Sequence, residues 1–173
     1  MGLHVYFGDG KGKTTAAMGL AARALGQGMR VMIAQFMKDG RSGELKTLAA
    51  FPNALVLSAP GMPKFTFEMT EAELASARET QTAFCRSLEE GLVSAQPDLI
   101  ILDELAAALS TSLIDRRDAE RLIDLGLSLG DTVVTGWEAP EWLTAKADYL
   151  TQMKCLRHPY QTKGAEARIG IEW

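Results

Sequence analysis

The sequence predicts an α/β fold, a mostly parallel sheet with helices on both faces, built as a single domain over residues 1–173. Two patterns predict the sheet and its cover. Short apolar runs alternate with longer stretches of helical spacing, and the runs are nearly continuous in Val, Ile, Leu and Met, as strands buried on both faces are. A third observation concerns the first turn of the chain: a glycine-rich segment, Gly8-Asp9-Gly10-Lys11-Gly12, stands between the first apolar run and the first helical stretch.

The predicted strands cover residues 3–7, 30–36, 54–58, 99–103, 132–135 and 149–156. A helix over 13–25 stops at Gly26 and Gly28, residues suited to a left-handed cap. Thr70-Glu71-Ala72-Glu73 has the spacing of a capping box and opens a helix to about Ser94, closed by Pro97. Shorter helices are expected over 118–125 and 140–145, the second with Pro140 in its first turn. The one long irregular stretch, 59–69, carries Pro60, Gly61 and Pro63; loops of that length in a compact domain are more often functional than idle.

With 173 residues, 47% of them apolar and 23% charged, the chain can bury roughly 70% of the surface it exposes unfolded. Disordered, collagenous and disulfide-scaffold classes are excluded. The net charge of -4 argues against a nucleic-acid partner, since phosphate binding shows as a basic excess, but allows a local cationic site. Cys85 and Cys155 form no CxxC pair and read as two core thiols of a reducing compartment. The first residues lack a basic n-region and a long apolar h-region, and no run approaches the roughly 20 residues of a bilayer span. A cytoplasmic protein without a membrane partner is expected.

The strongest local signal is Gly8-Asp9-Gly10-Lys11-Gly12-Lys13-Thr14-Thr15. Glycines let successive N–H groups converge on phosphate oxygens at a helix N-terminus, where the helix dipole adds its attraction. Lys11 and Lys13 add local positive charge, Lys13 as the phosphate-reaching lysine, and Thr14 presents a hydroxyl to Mg²⁺. The loop is one residue short of GxxxxGK[ST], whose first glycine would fall on Phe7. The rival dinucleotide pattern GxGxxG fails because Lys13 takes its third glycine. Leu99-Ile100-Ile101-Leu102-Asp103-Glu104 is a buried strand ending in two carboxylates, either of which suits Mg²⁺. Thr132-Val133-Val134-Thr135-Gly136 is another strand ending where a ligand would sit, although a plain turn glycine explains it equally well. Together these predict a P-loop NTPase-like (RecA-like) core binding a nucleoside triphosphate with Mg²⁺, and no reaction as yet.

GDGKGKTTAA over residues 8–17, Gln35-Phe36 with Lys38-Asp39-Gly40, the strand at 99–105, and Arg157-His158-Pro159-Tyr160 with Gly164, Ala167 and Gly170-Ile171-Glu172-Trp173 together resemble the ATP:corrinoid adenosyltransferases of the CobA/CobO/BtuR type over nearly the whole chain. The shortened P-loop is that family's own form. The resemblance implies transfer of the 5′-deoxyadenosyl group of ATP to the cobalt(I) of a corrinoid, cobalamin or a precursor, with release of triphosphate. It implies that Lys13, the N–H groups of Gly10 to Thr14, and Mg²⁺ on Thr14 and Glu104 with Asp103 stabilise the leaving triphosphate. It implies nucleotide contacts at Gly8, Asp9, Lys11, Gly12, Thr15 and Arg23, and ranks His158 of the terminal motif second to them as a cofactor-binding residue. For Arg23 an exposed helix arginine is the competing reading, and for His158 a hydrogen-bonded structural histidine before proline.

Phe65-Thr66-Phe67 matches the spacing of two aromatics that the family uses to exclude the corrinoid's lower axial ligand, and positions i and i+2 of an extended segment face one side. A pair of core phenylalanines anchoring the loop is the plainer alternative. The second position is often Trp in the family, and Trp137 stands where members commonly carry Arg. The chain begins at the first strand, where members often have a segment covering the corrinoid, so a more open site is expected. The family is typically dimeric, and an electron-donating flavoprotein fits its chemistry. Two other classes remain open on the residues alone: a P-loop ATPase or kinase acting on the γ-phosphate, and a non-catalytic nucleotide- or corrinoid-binding module.

Overall fold

The computed structural model describes residues 1–62 and 64–171, so that Pro63, Glu172 and Trp173 of the motifs above lie outside the described residues. Six strands, β1 (Leu3–Phe7), β2 (Val31–Gln35), β3 (Ala54–Ser58), β4 (Leu99–Asp103), β5 (Asp131–Gly136) and β6 (Tyr149–Gln152), form one sheet in the order β3-β2-β4-β5-β1-β6. Every pairing is parallel. All six C-terminal ends therefore open on the same edge of the sheet. β2 leads outward to β3 while its neighbour β4 leads the other way to β5, and such a reversal leaves a crevice beyond the strand ends.

The period of two in β2, β4 and β5 sorts side chains onto two layers. Val31, Ile33, Leu99, Ile101 and Val133 pack with Ala17, Met18 and Ala21 of α1 (Lys13–Gly26) and with Leu45 and Leu48 of α2 (Gly43–Leu48). Met32, Ala34, Ile100, Leu102 and Val134 face Cys85, Leu88 and Leu92 of α3 (Glu71–Ala95), with α4 (Leu105–Ser110), α5 (Arg116–Leu129) and α6 (Glu141–Lys146) completing that side. A short α7 (Pro159–Lys163) follows β6. The predicted strands and the long helices are in place; α2, α4 and α7 were not predicted, each being too short to show a helical period.

Three expectations need correction. The last strand stops at Gln152 rather than residue 156, because β1, with which it pairs, ends at Phe7 and turns into the glycine loop. Burial on both faces holds for β2 and β4, whereas β6 is exposed along its length and β3 only half-buried, since each lies at an edge with one neighbour. Of the two predicted core thiols, Cys85 is buried and burial pushes it up to about 12, with Asp118 and Glu89 adding to the effect. Cys155 is only half-buried, on the segment beside the glycine loop.

Candidate functional site

The loop between β1 and α1 is shaped by what lies behind it. Gly8 has a φ of 115°, and the Cβ of any other residue there would run into the Met153 carbonyl. A Cβ on Gly10 would come within 2.8 Å of the backbone of Met153 and Lys154. The chain after β6 is thus the rear wall of the loop: Gly10 N–H donates to Met153 O at 2.8 Å, and Met153 N–H to Phe7 O at 2.8 Å. Asp9 Oδ1 accepts from the Cys155 N–H at 3.0 Å, which ties this wall to the loop. Lys13 curls over the loop, its Nζ donating to Gly8 O at 2.6 Å and Gly10 O at 2.7 Å. Burial pulls the Lys13 ammonium below its ordinary pKa, with Glu104 and Asp9 working against that shift.

The acidic strand ends beside this loop although β5 separates it from β1. Asp103 is completely buried and each of its oxygens has two partners. Oδ1 accepts from Thr14 Oγ1 at 2.9 Å and Thr135 Oγ1 at 2.7 Å; Oδ2 accepts from Gln35 Nε2 at 2.9 Å and Lys38 Nζ at 3.3 Å. Lys38 also pairs with Glu104 Oε1 at 3.0 Å. Its burial disfavours the charge, but Asp103 and Glu104 outweigh that and hold its pKa above the ordinary lysine value. Met37 and Glu104 both adopt left-handed backbone with φ near 60°, a conformation that costs on the order of 1–3 kcal/mol for such residues and concentrates at functional sites. Each is held there by a long-range bond: Met37 N–H to Gln81 Oε1 at 3.1 Å, and Glu104 N–H to Thr135 Oγ1 at 2.9 Å.

Two clefts flank this cluster. One, of about 810 Å³, is lined by Lys11, Gly12, Lys13, Thr14 and Thr15, by the α1 face of Met18, Gly19 and Ala22, by Ser42, Gly43, Glu44, Thr47 and Leu48 around α2, and by Gly170 and Ile171. The other, of about 380 Å³, is lined by Met37, Met62 and residues 64–68. Lys38, Glu104 and Trp137 line both. Phe65 and Phe67 are 62% and 80% exposed, which excludes the reading as core anchors. The segment is not extended as expected: Phe65 caps a 3-10 turn, Thr66–Glu68, and the two rings stack on each other at 5.4 Å with their planes 5° apart. A planar ligand would meet the outer face of one ring rather than both side by side.

Of the other predicted residues, Arg23 is exposed on α1 one turn beyond Gly19, its charge felt by Tyr6, and is not part of the cleft lining. His158 is the N-cap of α7, its Nδ1 accepting from the Tyr160 N–H at 3.2 Å. Thr135, which as a sequence feature was equally well a turn, is buried and bonds both Asp103 and the Glu104 N–H. Sequence reasoning missed Gln35 and Lys38 as members of the site, although both stood in a quoted motif; nothing in the spacing tells that the chain after β2 meets the acid strand. The cleft wall at Gly170 and Ile171 was visible only as a terminal motif.

The oxygen donors Thr14, Asp103 and Glu104 fit a hard divalent cation, because all three meet a single positive charge at Lys38 Nζ. Among the described residues no group of three His, Cys, Asp or Glu forms a metal site; the oxygen set at Lys38 is two carboxylates and a hydroxyl. Nor, among the described residues, is any helix long and apolar enough to cross a membrane.

The family described as ATP:corrinoid adenosyltransferase BtuR/CobO/CobP matches residues 2–173. The chain is 32% identical over 174 residues to the corrinoid adenosyltransferase of Pseudomonas aeruginosa strain PAO1, a match covering 99% of this chain and 83% of that protein. It is 28% identical to the corrinoid adenosyltransferase of Escherichia coli strain K12, and equally to the corrinoid adenosyltransferase CobA of Salmonella typhimurium, in both cases covering 98% of this chain and 84% of the other.

Proposed function

The chain belongs to the ATP:corrinoid adenosyltransferase BtuR/CobO/CobP family, and from that premise we propose that it moves the 5′-deoxyadenosyl group of ATP onto the cobalt(I) of a corrinoid, releasing triphosphate. The observation that carries the reading is the junction of the two clefts. A loop built for polyphosphate opens on one side of Lys38, Glu104 and Trp137, and an exposed aromatic pair stands on the other. A group held at that junction faces both substrates.

The chemistry asks little of the protein in acid–base terms. Cobalt(I) is itself a strong nucleophile, and among the described residues no histidine or cysteine lines either cleft. What the residues must do is place the ribose C5′ in line with the cobalt and stabilise charge growing on the departing triphosphate. Lys13 is poised for this, since its ammonium now rests on loop carbonyls and exchanges them for phosphate oxygens when these enter. The N–H groups of Gly10 to Thr14 add uncharged donors. Thr14, Asp103 and Glu104 would hold Mg²⁺, which when bound supplies further positive charge to the triphosphate. In the stacked pair of Phe65 and Phe67, the outer ring would lie against the corrinoid with the other ring backing it, keeping the lower axial ligand off and favouring reduction to cobalt(I). Among the described residues no arginine lines the nucleotide cleft, where γ-phosphoryl chemistry commonly places one to stabilise charge. As further parts of the proposal, the resemblance supports a cytoplasmic homodimer served by an electron-donating flavoprotein.

Incubation with ATP, Mg²⁺ and chemically reduced cobalamin tests the reading. The expected products are triphosphate and a cobalt–carbon-bonded corrinoid; orthophosphate alone would overturn it in favour of an ATPase or kinase.

A further inference from the structure

Three oxygens from separate parts of the chain meet on one ammonium. Thr14 Oγ1 comes from the first turn of α1, Asp103 Oδ2 from the end of β4, and Glu104 Oε1 from the left-handed residue after it; they lie 3.4, 3.3 and 3.0 Å from Lys38 Nζ. A lysine ammonium has three N–H donors, and here each has an acceptor. These same three groups are the set that fits a divalent cation on phosphate.

We propose that Lys38 is the resident cation of this site: in the nucleotide-free protein its ammonium fills the position of the divalent ion, and it is transferred to the triphosphate when the metal–nucleotide arrives. The inference rests on the reading of Thr14, Asp103 and Glu104 as the metal-holding set. A salt bridge serving only stability would not need to open. This one must, because an ammonium and a divalent ion cannot share the same three oxygens. The oxygens are also spaced for an ammonium, since Mg²⁺ requires contacts near 2.0–2.1 Å. Lys38 is built to leave. It sits on the irregular segment after β2, its side chain is 40% exposed despite its partners, and its stem borders both clefts. The nearest anion available to the displaced ammonium is then the triphosphate beside Lys13. Binding of free metal is thereby penalised, and binding of metal together with polyphosphate is favoured.

The experiment uses Mn²⁺ alone, without nucleotide or corrinoid, on the full chain. Lys38→Met is expected to bind Mn²⁺ at least tenfold more tightly than wild type, and Glu104→Gln added to it should abolish the gain. Affinity equal to or weaker than wild type would overturn the proposal. Because Lys38→Met leaves two carboxylates without their cation and could fail to fold, acetylation of Lys38 in the wild type, followed by mass spectrometry, gives a second reading. Saturating Mn²⁺ should raise the Lys38 labelling rate severalfold, and inorganic tripolyphosphate added with it should lower the rate again; an unchanged rate at saturation also overturns the proposal. Neither arm contains a corrinoid, so a protein that passes both yet forms no cobalt–carbon bond would refute the reaction alone.

Discussion

Four donors share the two carboxylate oxygens of Asp103: the hydroxyls of Thr14 and Thr135, the Gln35 amide and the Lys38 ammonium. With every lone pair facing a donor, an amide is a poor substitute, because its NH₂ would point at one of those donors. Asp103→Asn is therefore expected to leave buried donors unsatisfied and to cost about 1–3 kcal/mol of stability, read as a lower urea midpoint. It should also lower adenosyl transfer by about 10²-fold or more, the scale seen when a preorganised charge-stabilising group is lost. A variant with wild-type turnover would show that the cluster only holds the sheet ends together. At this scale the sequence was informative about Lys13, Thr14, Asp103 and Glu104, which sit in contiguous motifs. It was silent on Gln35 and Thr135 as partners of Asp103, because a hydrogen bond between residues 68 and 32 positions apart leaves no local pattern.

The glycine loop works as an element because the stretch after β6 lies against its back. Adding a methyl group at Gly10 forces backbone away from backbone, as its nearest neighbours at 2.8 Å are carbonyl carbons rather than flexible side-chain ends. Gly10→Ala is expected to destabilise by about 1–3 kcal/mol, as overpacking does, and to weaken ATP binding more than corrinoid binding, measured by titration of each ligand. A second element-level device anchors the aromatic segment. Glu73 accepts from the Thr70 N–H at 2.8 Å, completing the capping box predicted for α3, and pairs with Lys64 at 2.7 Å on the segment that carries Phe65. The Lys64 contact first, and then the bonds from Thr70, hold its carboxyl at about 2, below the usual 4.5. A depressed carboxylate pKa contributes stability that is present above 4.5 and lost as pH falls towards 2. Between those limits the wild-type urea midpoint should fall more steeply than that of Glu73→Gln, which has no carboxylate to protonate; parallel curves would mean that the contact carries no stability. The cap was legible from Thr70 and Glu73 alone, whereas its link to Lys64 depends on how the loop folds back.

For the whole molecule, the parallel order places the glycine loop, the turn after β2 and the Asp103-Glu104 strand end at one edge, and the reversal between β2 and β4 sets Lys38 opposite Asp103 and Glu104. Among the described residues the two clefts share only Lys38, Glu104 and Trp137, so substitutions elsewhere in the linings should separate their substrates. Phe65→Ala removes an exposed ring that is not among the residues lining the nucleotide cleft. ATP affinity should stay within about twofold, as expected for a surface site with no buried partners. Adenosylation of a corrinoid supplied in the oxidised state should slow, followed by the absorbance of the product. An unchanged rate would leave the ring without a part in preparing the cobalt.

The fold class, the phosphate loop, the acid strand and the family were legible in the sequence, because each is written in contiguous residues: a period of two, glycines at fixed offsets, carboxylates at the end of an apolar run. What only the tertiary structure decided is which distant residues share a charge. The lysine between the two carboxylates, the rear wall of the loop and the junction of the clefts arise from strand order. Strand order follows from the packing of two helix layers on a sheet, and no local spacing encodes it.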